Sequence, residues 1–231
     1  MLRCRVATSL LWTLSGAAGR TVLFVLVLVV LARLLTPHDY GVVSAAMVVV
    51  RFSNILSQLG VGPALIQRPE LRPAHVRTGL ALSMLLGISL AAIVWLLASP
   101  ITAFLRIEEL RAVLAAMCLI FPIQAISVVA DSLLQRELKF GRIALTELTS
   151  DALGYGLTGI ALALAGYGYW ALVGAILAQT LLRSILLLAA RPHLLMPMLE
   201  PRAARELIYF GAGHTGGRGR ASGLPTCPAW D

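Results

Sequence analysis

The chain has 231 residues, 58% of them hydrophobic and only 13% charged, with a mean hydropathy of +0.85. That places it outside the range of water-soluble globular domains and inside the membrane class. The net charge of +8 does not point to nucleic acid, because the arginines lie between apolar runs and no basic helix is interleaved with stacking aromatics.

Apolar runs of span length predict six transmembrane helices in an all-α membrane protein. They are Trp12 to Ala32, Gly41 to Leu59, Gly79 to Ala98, Ala112 to Leu134, Ile143 to Leu164 and Trp170 to Ala190. The third is the clearest, about 20 residues without a charge, enough at 1.5 Å per residue to cross a ~30 Å hydrocarbon core. Before the first, Arg3 and Arg5 followed by "VATSLLWTLSGAAG" also fit a signal peptide. Against that, Val22 to Ala32 is too short to span alone and needs Trp12 to Gly19.

Breakers separate the runs: Thr36-Pro37 before the second, Pro69 and Pro73 before the third, Ser99-Pro100 after it, Gly141 before the fifth, and Gly166 and Gly168 before the sixth. Pro122 predicts a kink inside the fourth. Lys and Arg concentrate in alternate loops: Arg68, Arg72 and Arg77; Arg136, Lys139 and Arg142; Arg191, Arg202 and Arg205. Cytoplasmic loops retain positive charge, so both termini are expected in the cytoplasm. The transmembrane unit is expected over 1–210, and from Gly211 the Gly-, Pro- and Arg-rich run reads as a disordered tail, 211–231.

No phosphate loop, positioned nucleophile or paired histidine ligands are found, so no enzyme is expected. Cys4, Cys118 and Cys227 give neither a disulfide framework nor a zinc site. His38, His75, His193 and His214 share no ligand spacing, so no metal or cofactor is expected.

The candidate functional residues are ionisable groups at membrane depth, each costing a few kcal/mol at a helix centre. Counting 1.5 Å per residue from the expected span starts, Glu147 lies about 6 Å deep, Asp151 and Arg20 about 12 Å, Arg51 about 15 Å and Arg183 about 20 Å. Glu147 and Asp151 share one helix face. The bland reading is interhelical ion pairing with snorkelling at the ends, and it suits Asp131 near the end of the fourth helix. The sharper reading is a water-filled cavity in which these arginines, acids and amides hold a polar or charged cargo, the planar fork of arginine suiting paired oxygens. Asn54 and Gln58, one and two turns beyond Arg51, extend that set. Tyr167, Tyr169 and Trp170 read as interface-belt anchors.

Three stretches resemble the polysaccharide transporter family, the oligosaccharide flippases of the multidrug/oligosaccharidyl-lipid/polysaccharide superfamily. They are "LARLLTPHDYGVVSAAMVV", "LSQLGVGPALIQRPEL", and "LLQRELKFGRIALTEL" running on to "ALAGYGYWALV". The resemblance implies one six-helix lobe of a two-lobed fold that rocks about a central cavity. Its cargo would be polyprenyl-diphosphate-linked oligosaccharide, carried by alternating access. It also implies a partner for the lobe, either a second lobe or a second copy of the chain. A truncated or split coding region accounts for "RELIYFGAG" reading as the approach to a seventh helix, with single-lobe dimers as the alternative. Two further functions stand beside this one. A cation-coupled drug antiporter of the same superfamily is expected to place an acid in helix one, where this chain has Arg20, or in its second-lobe counterpart; the other is a non-transporting membrane fragment.

Overall fold

The computed structural model describes residues 19–58, 73–190, with side chains described over 19–53 and 76–190. Six helical rods follow one another: α1 over residues 19–34, α2 Pro37–Gln58, α3 Pro73–Leu105, α4 Leu110–Met117 continued by α5 Ile120–Arg136, α6 Phe140–Thr149 continued through a π-helical segment Ser150–Leu157 into α7 Thr158–Leu164, and α8 Tyr169–Ala190. Among the described residues there is no strand. Three stretches of the described residues, Val76–Leu105, Leu110–Arg136 and Tyr169–Ala190, are long and apolar enough to cross a membrane. Trp12 to Ala18 and the tail from Gly211 lie outside the described residues.

Most boundaries follow local chemistry. Thr36 and Asp39 form a reciprocal cap at the start of α2: the Asp39 amide donates to Thr36 Oγ1 at 3.3 Å, and the Thr36 amide donates to Asp39 Oδ2 at 2.9 Å. Pro37 and Pro73 each take the first helical position, where the missing N–H would have had no partner anyway.

Two boundaries differ from the sequence expectation. Pro100 does not end the third helix, which runs on to Leu105. A single proline removes only the bond to the Leu96 carbonyl, a loss that a long apolar helix tolerates, and Thr102 Oγ1 donates to the nearby carbonyls of Ala98 and Ser99 at 3.0 and 2.8 Å. The expected kink in the fourth helix falls at Cys118 and Leu119, one turn before Pro122. The physical cause is still Pro122, whose ring has no amide to give the Cys118 carbonyl and crowds it. That carbonyl instead accepts from the Phe121 amide at 3.3 Å.

The core centres on α4. Leu110, Val113, Leu114 and Met117, spaced i, i+3, i+4 and i+7, are fully buried against Leu31 of α1 and Ala46 of α2. Small residues allow the closest helix contacts, as expected where lipid supplies no hydrophobic drive between helices. Gly154 is the extreme case: a Cβ there would stand 2.5 Å from the Gln179 Cα and 2.8 Å from its nitrogen. The π-helical segment therefore lies directly on α8.

Candidate functional site

That contact positions the site. The Thr158 amide reaches back five residues to the Leu153 carbonyl, which is the widened winding of the π segment. Thr158 Oγ1 adds bonds to the Leu153 and Gly154 carbonyls at 3.0 and 2.5 Å. Asp151 sits in this segment and Glu147 one turn earlier in α6.

Four of the residues singled out from the sequence meet here. Arg20 of α1 places Nη1 3.1 Å from Glu147 Oε2 and Nε 2.5 Å from Asp151 Oδ2. Arg183 of α8 places Nη2 3.0 Å from Glu147 Oε1. Glu147 is thus bridged by two arginines from different helices. These are charge-assisted contacts between helices widely separated in sequence, and they join α1, α6 and α8 at one level of the bundle.

Asp131 has an interhelical ion-pair contact, as the bland reading expects. Its Oδ2 lies 3.8 Å from Arg183 Nη2, so it stands at the edge of the same network. Gln179, which was not singled out, donates from Nε2 to Asp151 Oδ1 at 2.5 Å. A signal for it existed. Gln179, Thr180, Arg183 and Ser184 are the only polar residues between Tyr169 and Ala190 apart from Tyr169 itself, and the spacing of four puts Gln179 and Arg183 on one face. Ser184 Oγ also donates to the Ile123 carbonyl at 3.2 Å and meets Ser127 Oγ at 3.1 Å, a polar contact between α5 and α8.

Two cavities flank the network. The larger, about 650 Å³, lies between α1, α2, the π segment and α8; Arg20, Arg51, Asp151 and Gln179 form its polar part, and Phe24, Met47, Val48 and Tyr155 are among its apolar walls. Phe24 and Tyr155 stack at 6.3 Å across it. The smaller, about 240 Å³, brings Arg51 together with Glu147, Asp151 and Arg183. Arg51 therefore borders both cavities, yet among the described residues it has no carboxylate partner. The side chains of Asn54 and Gln58 lie outside the described residues. No cluster of metal-ligating side chains occurs among the described residues.

The described residues thus form a helical bundle with apolar outer faces and an ion-paired polar interior. The profile of a family described as polysaccharide biosynthesis protein matches residues 30–218, and the chain belongs to that family of polysaccharide transporters. It is 30% identical over 178 residues, 74% of this chain and 35% of the relative, to the succinoglycan biosynthesis transport protein ExoT of Rhizobium meliloti (strain 1021). Identity is 27% over 153 residues, 63% of this chain and 31% of the relative, to the lipopolysaccharide biosynthesis protein WzxC of Escherichia coli (strain K12). It is 24% over 206 residues, 87% of this chain and 42% of the relative, to the teichuronic acid biosynthesis protein TuaB of Bacillus subtilis (strain 168). The chain thus spans between about a third and two fifths of the length of these curated relatives. No solved structure matches it.

Proposed function

We propose that the six rods are six membrane spans forming one lobe of an exporter. It would turn polyprenyl-diphosphate-linked oligosaccharide across a bacterial inner membrane for polysaccharide synthesis. Both termini of the six-span unit face the cytoplasm in this reading, and a second lobe or a second copy of the chain completes the central cavity. Transport proceeds by alternating access without covalent chemistry. The names of the relatives, a succinoglycan biosynthesis transport protein and proteins of lipopolysaccharide and teichuronic acid biosynthesis, support a polysaccharide cargo.

The observation that carries the phosphate assignment is the charge arrangement. Glu147 and Asp151 are engaged by Arg20 and Arg183, and Arg51 stands beside them on both cavities with no carboxylate partner among the described residues. A guanidinium so placed suits two oxygens of a diphosphate, and Arg20 lies on the same cavity wall to assist. Asp151 and Gln179, with Asn54 and Gln58 further along α2, suit sugar hydroxyls. An arginine rather than an acid in α1 favours an anionic cargo over the cation-coupled drug antiporter.

The test is Arg51→Lys, which keeps the charge and loses the planar fork. Export per molecule in a flippase-deficient strain should fall roughly tenfold, the effect of losing about one charge-assisted hydrogen bond, while membrane abundance stays near normal. Unchanged export per molecule would remove Arg51 from the substrate site. Impermeant thiol labelling of cysteines placed at Arg68 and Gly168 should give opposite sidedness on intact cells, and labelling of the Arg68 site from outside would reverse the orientation.

A further inference from the structure

Arg183 is held in an incomplete way. Its Nη2 contacts Glu147 at 3.0 Å and lies 3.8 Å from Asp131 Oδ2. Its Nε is buried without a hydrogen-bond partner, and so is Asp131 Oδ1. Nε and Nη2 form one edge of the guanidinium, the edge that takes a carboxylate two-fold, and the two oxygens of Asp131 are the matching edge. The pair is therefore a two-point bridge standing slightly open. A donor and an acceptor left unmade at that bridge are expensive in a partly buried setting, so closing it has a drive of its own.

We infer that Asp131 is a positioning residue for the proposed anion site: Arg183 exchanges between Glu147 and Asp131, and the exchange decides whether Arg51 is available to an anion. This rests on the phosphate reading of Arg51 given above. With Arg183 on Glu147, as in the structure, the four groups Arg20, Arg183, Glu147 and Asp151 carry no net charge, and Arg51 is left for the cargo. With Arg183 closed on Asp131, Arg20 alone faces Glu147 and Asp151, and that trio carries one negative charge. Arg51 shares the smaller cavity with both acids, so it is drawn to them and the anion loses its cation. The same six side chains thus hold an anion in one arrangement and release it in the other. No change of helix packing is needed for the difference in charge.

The experiment measures binding of farnesyl diphosphate to the purified chain in detergent, together with membrane abundance. Asp131→Asn removes the negative charge and one of the two acceptor oxygens, so the alternative partner is weakened and Arg183 is held on Glu147. Affinity should rise at least about twofold, the gain when a half-populated competent arrangement becomes fully populated, with abundance near normal. Glu147→Gln leaves Asp131 to receive Arg183, so abundance is again near normal. The double variant strands Arg183 and should lose far more abundance than the two single losses together. An Asp131→Asn affinity that is unchanged or lower, or additive losses in the double variant, overturns the exchange. Arg51→Ala separates the two readings: binding that survives it removes the phosphate assignment itself. Binding lost with Arg51→Ala but insensitive to Asp131→Asn removes only the exchange.

Discussion

The α1–α2 corner and the mid-bundle cluster both hold carboxylates away from bulk water, and they do so in opposite ways. At the corner, Asp39 is almost fully buried and is met by neutral donors fixed to the backbone: the Thr36 amide at 2.9 Å, the Thr36 hydroxyl at 2.6 Å and the Tyr169 amide. Gly168, with φ of 55°, lets the loop before α8 come so near that a Cβ there would lie 3.1 Å from Asp39 Oδ1. Burial pushes the Asp39 carboxyl up, but the Thr36 and Tyr169 bonds, with His38 nearby, outweigh it and hold the group below its ordinary value. In the cluster the partners are long arginines with more than one acceptor in reach, and buried atoms are left over. Backbone donors cannot move without unwinding a helix, whereas a guanidinium exchanges partners by rotation. The corner is built as a fixed joint between α2 and α8, and the cluster as a place where charge can be rearranged.

The largest way to break this contrast is Gly154→Ala. The added Cβ meets Gln179 backbone at 2.5 Å, and backbone cannot yield as a flexible side chain does. Separating the π segment from α8 should cost about 1–3 kcal/mol or more, seen as a lowered melting midpoint in detergent and loss of a monodisperse peak. A midpoint unchanged from wild type would mean that the close approach does not hold the cluster together.

Next in size is Arg20→Ala, which takes one cation from both Glu147 and Asp151. Breaking a well-buried pair costs 3–5 kcal/mol, but Arg20 is 45% exposed and Asp151 13%, so about 1–2 kcal/mol is expected after solvent screening. Adding Asp151→Asn should restore much of the loss, because the damage lies in the carboxylate left unpaired. The same rescue applied to Arg51 should fail, since Arg51 has no such partner among the described residues. A rescue of Arg51→Ala by Asp151→Asn would place Arg51 in the network after all.

The smallest effect belongs to the fixed joint. Asp39→Asn keeps one acceptor and should cost up to about 1 kcal/mol, the lower part of the range for a helix cap. The sign with pH is set by the lowered carboxyl. Its stabilisation is present above the unfolded value of about 3.9 and fades as pH falls through the folded one. The difference in melting midpoint between wild type and Asp39→Asn should therefore hold steady from pH 7 to about 5 and vanish on acidification below about pH 4. A difference that shrinks between pH 7 and 5 would contradict the lowered value.

Much of the architecture was legible before any coordinates. All six expected runs coincide with helical rods over their described parts, because hydropathy and breakers act locally and each rod satisfies its own backbone. The errors were local too. Ser99-Pro100 reads as a stop, but one proline removes only one helical bond and the helix continues through it to Leu105. The kink was assigned to the residue that causes it and found one turn earlier, where the ring's missing bond is felt.

The site divides in the same manner. Composition and spacing alone determined that Arg20, Arg51, Glu147, Asp151 and Arg183 fall inside apolar runs on helices, since a charge inside an apolar run is visible wherever it falls. Which arginine meets which acid was decided only by tertiary structure. Helix rotation, the π winding at Ser150–Leu157 and the glycine contact with Gln179 set distances that one-dimensional depth does not contain. They give Arg20 and Arg183 the carboxylates, bring Asp131 and Gln179 to the edge of the cluster, and leave Arg51 facing the cavities. Membrane depth follows from counting residues along one chain, whereas pairing depends on the azimuth of each helix about its axis, which only packing against its neighbours fixes.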